Sequence, residues 1–327
     1  MTLLPLSPGE PPLRLGPFET EAGAVIPDLR VAYRRDGPPS SPAVLVVHAL
    51  TGSADAAGDW WEPVIGPDRA LDTTERQVVC FNLLGSCYGT TGPRELHPFP
   101  DVTPRDLARA QWAALDALGV ERLDLVVGGS LGGMVALEVA LERPTAVDAV
   151  MPIAAPAVIG NLAAGWNHIQ LELIALDRDR GLELARQLAM TTYRSEVDFD
   201  TRDGIGSYLE HQGVKLRHRF HAGSYAALVG AMNAHDVGRG RRGLVEAFRL
   251  LATAGVGVHG VGIEGDILYG PRQVHALVDA ARAAGAVATY REISSDKGHD
   301  AFLVEWDQLT DILAEVLVGE EVVAASA

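Results

Sequence analysis

The chain has 327 residues, 47% hydrophobic and 21% charged, enough for a large core in one α/β domain that carries an insertion. Twenty-seven Lys and Arg against 43 Asp and Glu leave a formal charge of −16, a field that repels phosphate backbones and argues against a nucleic-acid partner. Cys80 and Cys87 make neither a disulfide framework nor a metal pattern, and neither a signal peptide nor a membrane span is legible, so the expected location is cytoplasmic, with no metal and no membrane.

In chain order, the Pro-rich first 17 residues read as a loosely held arm. Short β-branched runs follow at 43–50 ("AVLVVHAL") and 77–85 ("QVVCFNLLG"). A helix over 103–119 opens with Thr103 as N-cap and Pro104 at its first position, and Gly119 ends it. Then come a strand at 122–129, a helix at 132–144 and a strand at 146–155. After a long interval the pattern resumes with a strand at 256–266, a helix at 271–285 and a strand at 287–294. Continuous apolar runs, rather than alternating ones, predict strands buried on both faces of a parallel sheet. Alternation with helices predicts a doubly wound α/β architecture. Residues 158–245 break the rhythm: helical patterns without a convincing strand. The expected organisation is a core of 1–157 and 246–327, with 158–245 as a helical lid over the sheet's C-terminal edge.

The stretch "DLVVGGSLGGM" (124–134) places Ser130 among four glycines, directly after a strand and before a helix. Gly128-Gly129-Ser130-Leu131-Gly132 satisfies G-x-S-x-G in the strand–turn–helix setting of a nucleophile elbow. A Gly-rich turn of this kind could also cradle a phosphate, but the phosphate-loop lysine and G-x-G-x-x-G are both missing. A nucleophilic serine needs a base, and the base needs a third group to orient it. In this architecture the acid and then the histidine follow the serine. Of ten histidines, only His275 and His299 follow Asp266, the acid at a late strand end. His275 is mid-helix, whereas His299 lies in a turn after the last strand. The set is therefore Ser130, Asp266 and His299. Backbone N–H groups of Leu50 and Leu131 are the expected oxyanion donors.

Several longer stretches, among them "HALTG" (48–52), "NLLGSCYGTTGP" (82–93), "SYLEHQGVKL" (207–216), "HDVGRGR" (235–241) and "GHDAFL" (298–303), resemble the homoserine O-acyltransferases of the α/β-hydrolase superfamily. The matches run from residue 48 to 303 and include the lid. The resemblance implies an α/β-hydrolase fold with a mostly parallel sheet and acyl transfer from acetyl-CoA to L-homoserine in methionine synthesis. Acetyl-CoA would be a co-substrate, with no bound cofactor, and the protein a homodimer. It puts the nucleophile on Ser130, the acid on Asp266 and the base on His299. It also implies that Asp300 grips the homoserine amine and Arg194 its carboxylate. On the residues alone Arg194 reads as a solvated helix-end arginine and Asp300 as a turn acid. Arg219 is a second anion-binding candidate, and "GRGRRG" (238–243) could meet the CoA phosphates. His221 stands where the family more often has an acid. Relatives with this framework use succinyl-CoA or acylate serine or a larger alcohol. An esterase or thioesterase with the same triad and a non-catalytic binding protein are the rival readings.

Overall fold

The structure is a computed structural model and describes residues 11–324. It opens with β1 (Leu13–Glu19) and β2 (Val25–Val31), paired antiparallel as a two-stranded sheet. Of the arm expected over the first 17 residues, 1–10 lie outside the described residues. The rest is no loose arm. Leu13, Leu15 and Phe18 pack against the main core, and that burial fixes the strand despite the nearby prolines.

Then follow β3 (Tyr33–Asp36), β4 (Ala43–Val47), the two-residue strands β5 (Ile65–Gly66) and β6 (Leu71–Asp72), and β7 (Gln77–Phe81). Next come α1 (Pro104–Ala117), β8 (Leu123–Gly129), α2 (Leu131–Glu142) and β9 (Val147–Ile153). Beyond the insertion lie α8 (Leu244–Ala254), β10 (Gly257–Ile263), α9 (Pro271–Ala283), β11 (Ala288–Ile293) and α10 (Trp306–Ala324). Seven strands form the main sheet in the order β11-β10-β9-β8-β4-β7-β3. All neighbours are parallel except β3, which runs antiparallel to β7 at the edge.

All five residues of β4 are buried, and they divide by parity between two cores. Leu45 and Val47 face the core built with α1, α2, α8 and α9, while Val44 and Val46 face the core closed by α10 and Trp61. This is why the strand reads as an unbroken apolar run. Helix α1 starts where expected: the Thr103 side chain accepts from the Asp106 N–H and the Asp106 carboxylate from the Thr103 N–H, with Pro104 at the first position.

Between β9 and α8 the chain forms five helices: α3 (Asn161–Leu176), α4 (Arg178–Tyr193), α5 (Glu196–Asp200), α6 (Ile205–Arg219) and α7 (Ala222–Asn233). An antiparallel bridge between Val158 and Asp236 ties the two crossings into this layer. Helix α8 packs on α2 and α9 and so belongs with the core; its first two residues lie inside the expected 158–245 interval. Among the described residues, no helix is long and apolar enough to cross a membrane.

Candidate active site

Ser130 follows β8 directly and precedes α2, with φ +57° and ψ −124°. A side-chain-bearing residue reaches that region only under strain of about 1–3 kcal/mol, and here the surroundings hold it there. Its N–H donates to the Ile153 carbonyl at 2.9 Å. The flanking glycines are clearance for this turn. A Cβ on Gly128 would lie 2.6 Å from the Gly132 carbonyl carbon and 2.7 Å from Val47 O. One on Gly133 would lie 2.7 Å from Ala155 Cβ, and one on Gly129 would enter the Phe302 ring. Strand, turn and helix therefore approach more closely than any side chain allows.

Asp266 and His299 come from the turns after β10 and β11. The buried Asp266 carboxylate accepts the Leu268 and Tyr269 N–H groups on Oδ1, at 2.8 and 3.1 Å, which leaves Oδ2 for His299 Nδ1 at 2.7 Å. That bond fixes the tautomer: Nδ1 carries the proton, and Nε2 is the basic nitrogen. His299 Nε2 is buried and has no hydrogen-bond partner among the described residues. Burial alone would lower the His299 pKa; the Asp266 charge and hydrogen bond, with help from Asp300, outweigh it and hold it above the ordinary value. Tyr193 and Tyr269 flank the imidazole at ring distances of 5.6 and 5.5 Å. Ser130 and His299 face one cavity of about 1750 Å³, roofed by the inserted helices.

Leu50 also lines this cavity, and Leu131 is the first residue of α2, whose leading N–H groups have no intrahelical acceptor. The turn carrying Leu50 is pinned by His48. Burial pushes the His48 pKa down to about 4, so the ring is neutral. It donates from Nδ1 to Ala49 O at 2.7 Å and accepts the Leu83 N–H on Nε2 at 3.0 Å. Arg219 braces the same turn from the lid, donating to Thr51 O at 2.8 Å. The other polar candidate in the wall, Cys87, is no competing nucleophile: burial pushes its thiol up to about 11.

The remaining expectations divide. Asp300 lines the cavity. Arg194 does not; it sits at the C-cap of α4 with extended backbone, and its guanidinium pairs with Asp300 at 3.2 Å. The α4 face turned toward the cavity ends one residue earlier, with Arg186 and Tyr193. Those two are seven apart, two helical turns, so they share a face; the sequence shows the spacing but not which face is inward. The "GRGRRG" segment also lies elsewhere. Arg239 pairs with Glu21 at 2.8 Å and Arg241 with Glu138 at 2.7 Å, and neither lines the cavity. His275 stacks on Tyr290 at 3.5 Å. His221 caps α7 by accepting the Ser224 N–H and lines the cavity. Both cysteines are free.

Residues 42–235 match the family model described as the alpha/beta hydrolase fold. The chain is 44% identical to a homoserine O-acetyltransferase of Thermus thermophilus, over 90% of this chain and 88% of that protein. The chain belongs to the homoserine O-acetyltransferase family. A second member, from Moorella thermoacetica, is 39% identical over 91% of this chain and 92% of its own length. The crystal structure of the Staphylococcus aureus homoserine O-acetyltransferase superposes with a TM-score of 0.84 at 32% identity, covering 94% of each chain. Esterase E22 superposes as well, with a TM-score of 0.86 at 19% identity over 94% of this chain and 98% of that one, which speaks for the fold alone.

Proposed function

We propose that this family member moves an acetyl group from acetyl-CoA to the side-chain hydroxyl of L-homoserine, through an acyl-Ser130 intermediate, in methionine synthesis. The observation that carries the reading is the buried His299 Nε2, oriented by Asp266 and opening on the same cavity as Ser130. His299 takes the Ser130 proton as the serine oxygen attacks the thioester carbon. Negative charge builds on the carbonyl oxygen, where the Leu50 and Leu131 N–H groups receive it. The C–S bond breaks, the proton passes to the departing thiolate, and an acetyl ester remains on Ser130. Homoserine's hydroxyl then attacks that ester with His299 again as base, regenerating Ser130.

A zwitterionic acceptor needs one anion and one cation near the ester. Asp300 supplies the anion for the ammonium group. For the carboxylate the geometry favours Arg186 over Arg194, because Arg186 lines the cavity and Arg194 does not. Transfer rather than hydrolysis requires that water reach the ester poorly while the acceptor is absent. The helical roof serves that purpose. Lys297 Nζ reaches Asp198 of α5 at 2.9 Å, and the Ser195 hydroxyl donates to Asp296 O, so the roof is tied to the loop that carries His299. Intact-mass analysis after mixing with acetyl-CoA alone tests the intermediate. One acetyl group localised to Ser130, and none on Ser130→Ala, is the expected result; an unmodified wild-type protein that still forms product would refute double displacement.

A further inference from the structure

The cavity volume of about 1750 Å³ exceeds what an acetyl group and a small amino acid fill, since ordinary small-ligand sites span roughly 300–1,000 Å³. The surplus wall carries a distinctive charge arrangement. In a chain of net charge −16, cations elsewhere are largely neutralised, as Arg105, Arg239 and Arg241 are by Glu21, Glu138 and Glu142. Arg94, after β7, and Lys215, on α6, line the cavity and form no ion pair among the described residues. Both are exposed, so they stand at its mouth.

Of the acids in the same wall, Asp55 is bound to Arg34 and Asp300 pairs with Arg194, while Asp59 and Glu95, which accepts the Gly92 N–H, form no ion pair with either cation among the described residues. On α6, Lys215, His218 and Arg219 all line the cavity at i, i+3 and i+4. Two fixed like charges at i, i+4 cost a few tenths of a kcal/mol in an isolated helix. The helix C-terminus favours cations in its last turn, but that dipole has no preference for the face toward the cavity. The field is felt nearby: burial is the first cause of the lowered His221 pKa, and the charges of Arg94, Arg178 and His97 lower it further.

We infer that Arg94 and Lys215, with His218 beside them, form the subsite for the phosphate-bearing end of the acyl-CoA donor, at the mouth of the cavity whose floor holds Ser130. The inference rests on the donor proposed above. It replaces the "GRGRRG" segment, which does not line the cavity and whose Arg239 and Arg241 are held by carboxylates before β2 and on α2. The thioester end would reach Ser130 along the wall past Cys87 and Tyr88, while the phosphates stay in solvent against the two cations.

The test compares acetyl-CoA with S-acetylpantetheine, which carries the thioester but no phosphate. In the wild type, kcat/KM favours acetyl-CoA, and added salt reduces that preference. In the double variant R94Q/K215Q the ratio of the two kcat/KM values falls about tenfold, because an exposed charge pair contributes up to about fivefold each. A ratio equal to that of the wild type overturns the inference, as does a loss of equal size with both donors. If neither donor is turned over, the donor proposal fails first, and calorimetry with CoA decides the site separately. Binding weakened about tenfold by R94Q/K215Q upholds it, and CoA binding that is absent or indifferent to the two substitutions overturns it. Inorganic phosphate at equal ionic strength identifies a general anion site: if it displaces CoA as well as adenosine 3′,5′-bisphosphate does, the assignment to the donor is overturned.

Discussion

Gly132→Ala isolates the reason for the glycines around Ser130. The new Cβ would be driven into the Val47 carbonyl oxygen and would lie 3.0 Å from the Val47 carbonyl carbon and 3.1 Å from His48 O. All three are backbone atoms, at the end of a central strand and the start of the turn that carries Leu50, so no side chain can swing aside. Overpacking of this kind costs about 1–3 kcal/mol, and an unyielding neighbour puts it near the upper figure. With an unfolding entropy of about 2.1 cal/mol/K per residue, a chain of 327 residues gains roughly 0.7 kcal/mol/K on unfolding, so 3 kcal/mol lowers Tm by about 4 °C. The same shift parts the Leu50 and Leu131 N–H groups, and losing one oxyanion donor typically costs about 10²–10³ in kcat. Gly165 in α3 and Gly230 in α7 are the controls, because a Cβ there meets nothing within 4 Å. Alanine at either should raise stability by about 0.5–1 kcal/mol. Calorimetry and steady-state kinetics on the three variants decide the matter. Gly132→Ala with wild-type Tm and kcat would refute the close-approach argument.

Three further outcomes follow from the site. His299 must be neutral to act, so kcat/KM should fall as pH drops through its raised pKa; Asp266→Asn removes the main raising charge, moves that limb to lower pH and lowers kcat by about 10⁴, as in other triads, and an unmoved limb in the pH–rate profile would contradict the pairing. By linkage, a folded-state pKa above the unfolded value makes the His299–Asp266 pair's contribution to stability largest below the unfolded pKa and lost as pH rises through the folded one; a wild-type minus D266N Tm difference that grows with pH would show the sign to be wrong. Arg186→Gln and Asp300→Asn should each cut kcat/KM for homoserine by about 10- to 100-fold, the range of a charged hydrogen bond, while first-turnover thiol release from acetyl-CoA falls much less; equal losses in both half-reactions would remove them from the acceptor site.

Much of this was legible before any coordinates. Six strands of the main sheet were readable because burial on both faces leaves 43–47 wholly apolar and 123–129 interrupted by Asp124 alone, whereas the polar, half-buried edge strand β3 was not. The elbow was readable because its glycines are forced by backbone proximity, and His299 and Asp266 because chain order prunes the other histidines. The β1–β2 hairpin was missed, since prolines mask a pairing held by packing on distant core residues. Arg186 was missed because its inward face is set by how α4 packs on α3 and α6, which no local pattern records. "GRGRRG" misled for the opposite reason: its partners Glu21 and Glu138 lie about a hundred or more residues away in sequence and are invisible to a reading of local charge.

The most direct test of the whole account is thiol release from acetyl-CoA by the purified protein, measured with and without L-homoserine. Steady release that requires homoserine, with O-acetylhomoserine formed in equal amount, is the predicted result. Steady release at the same rate without any acceptor would contradict it and make the protein a thioesterase.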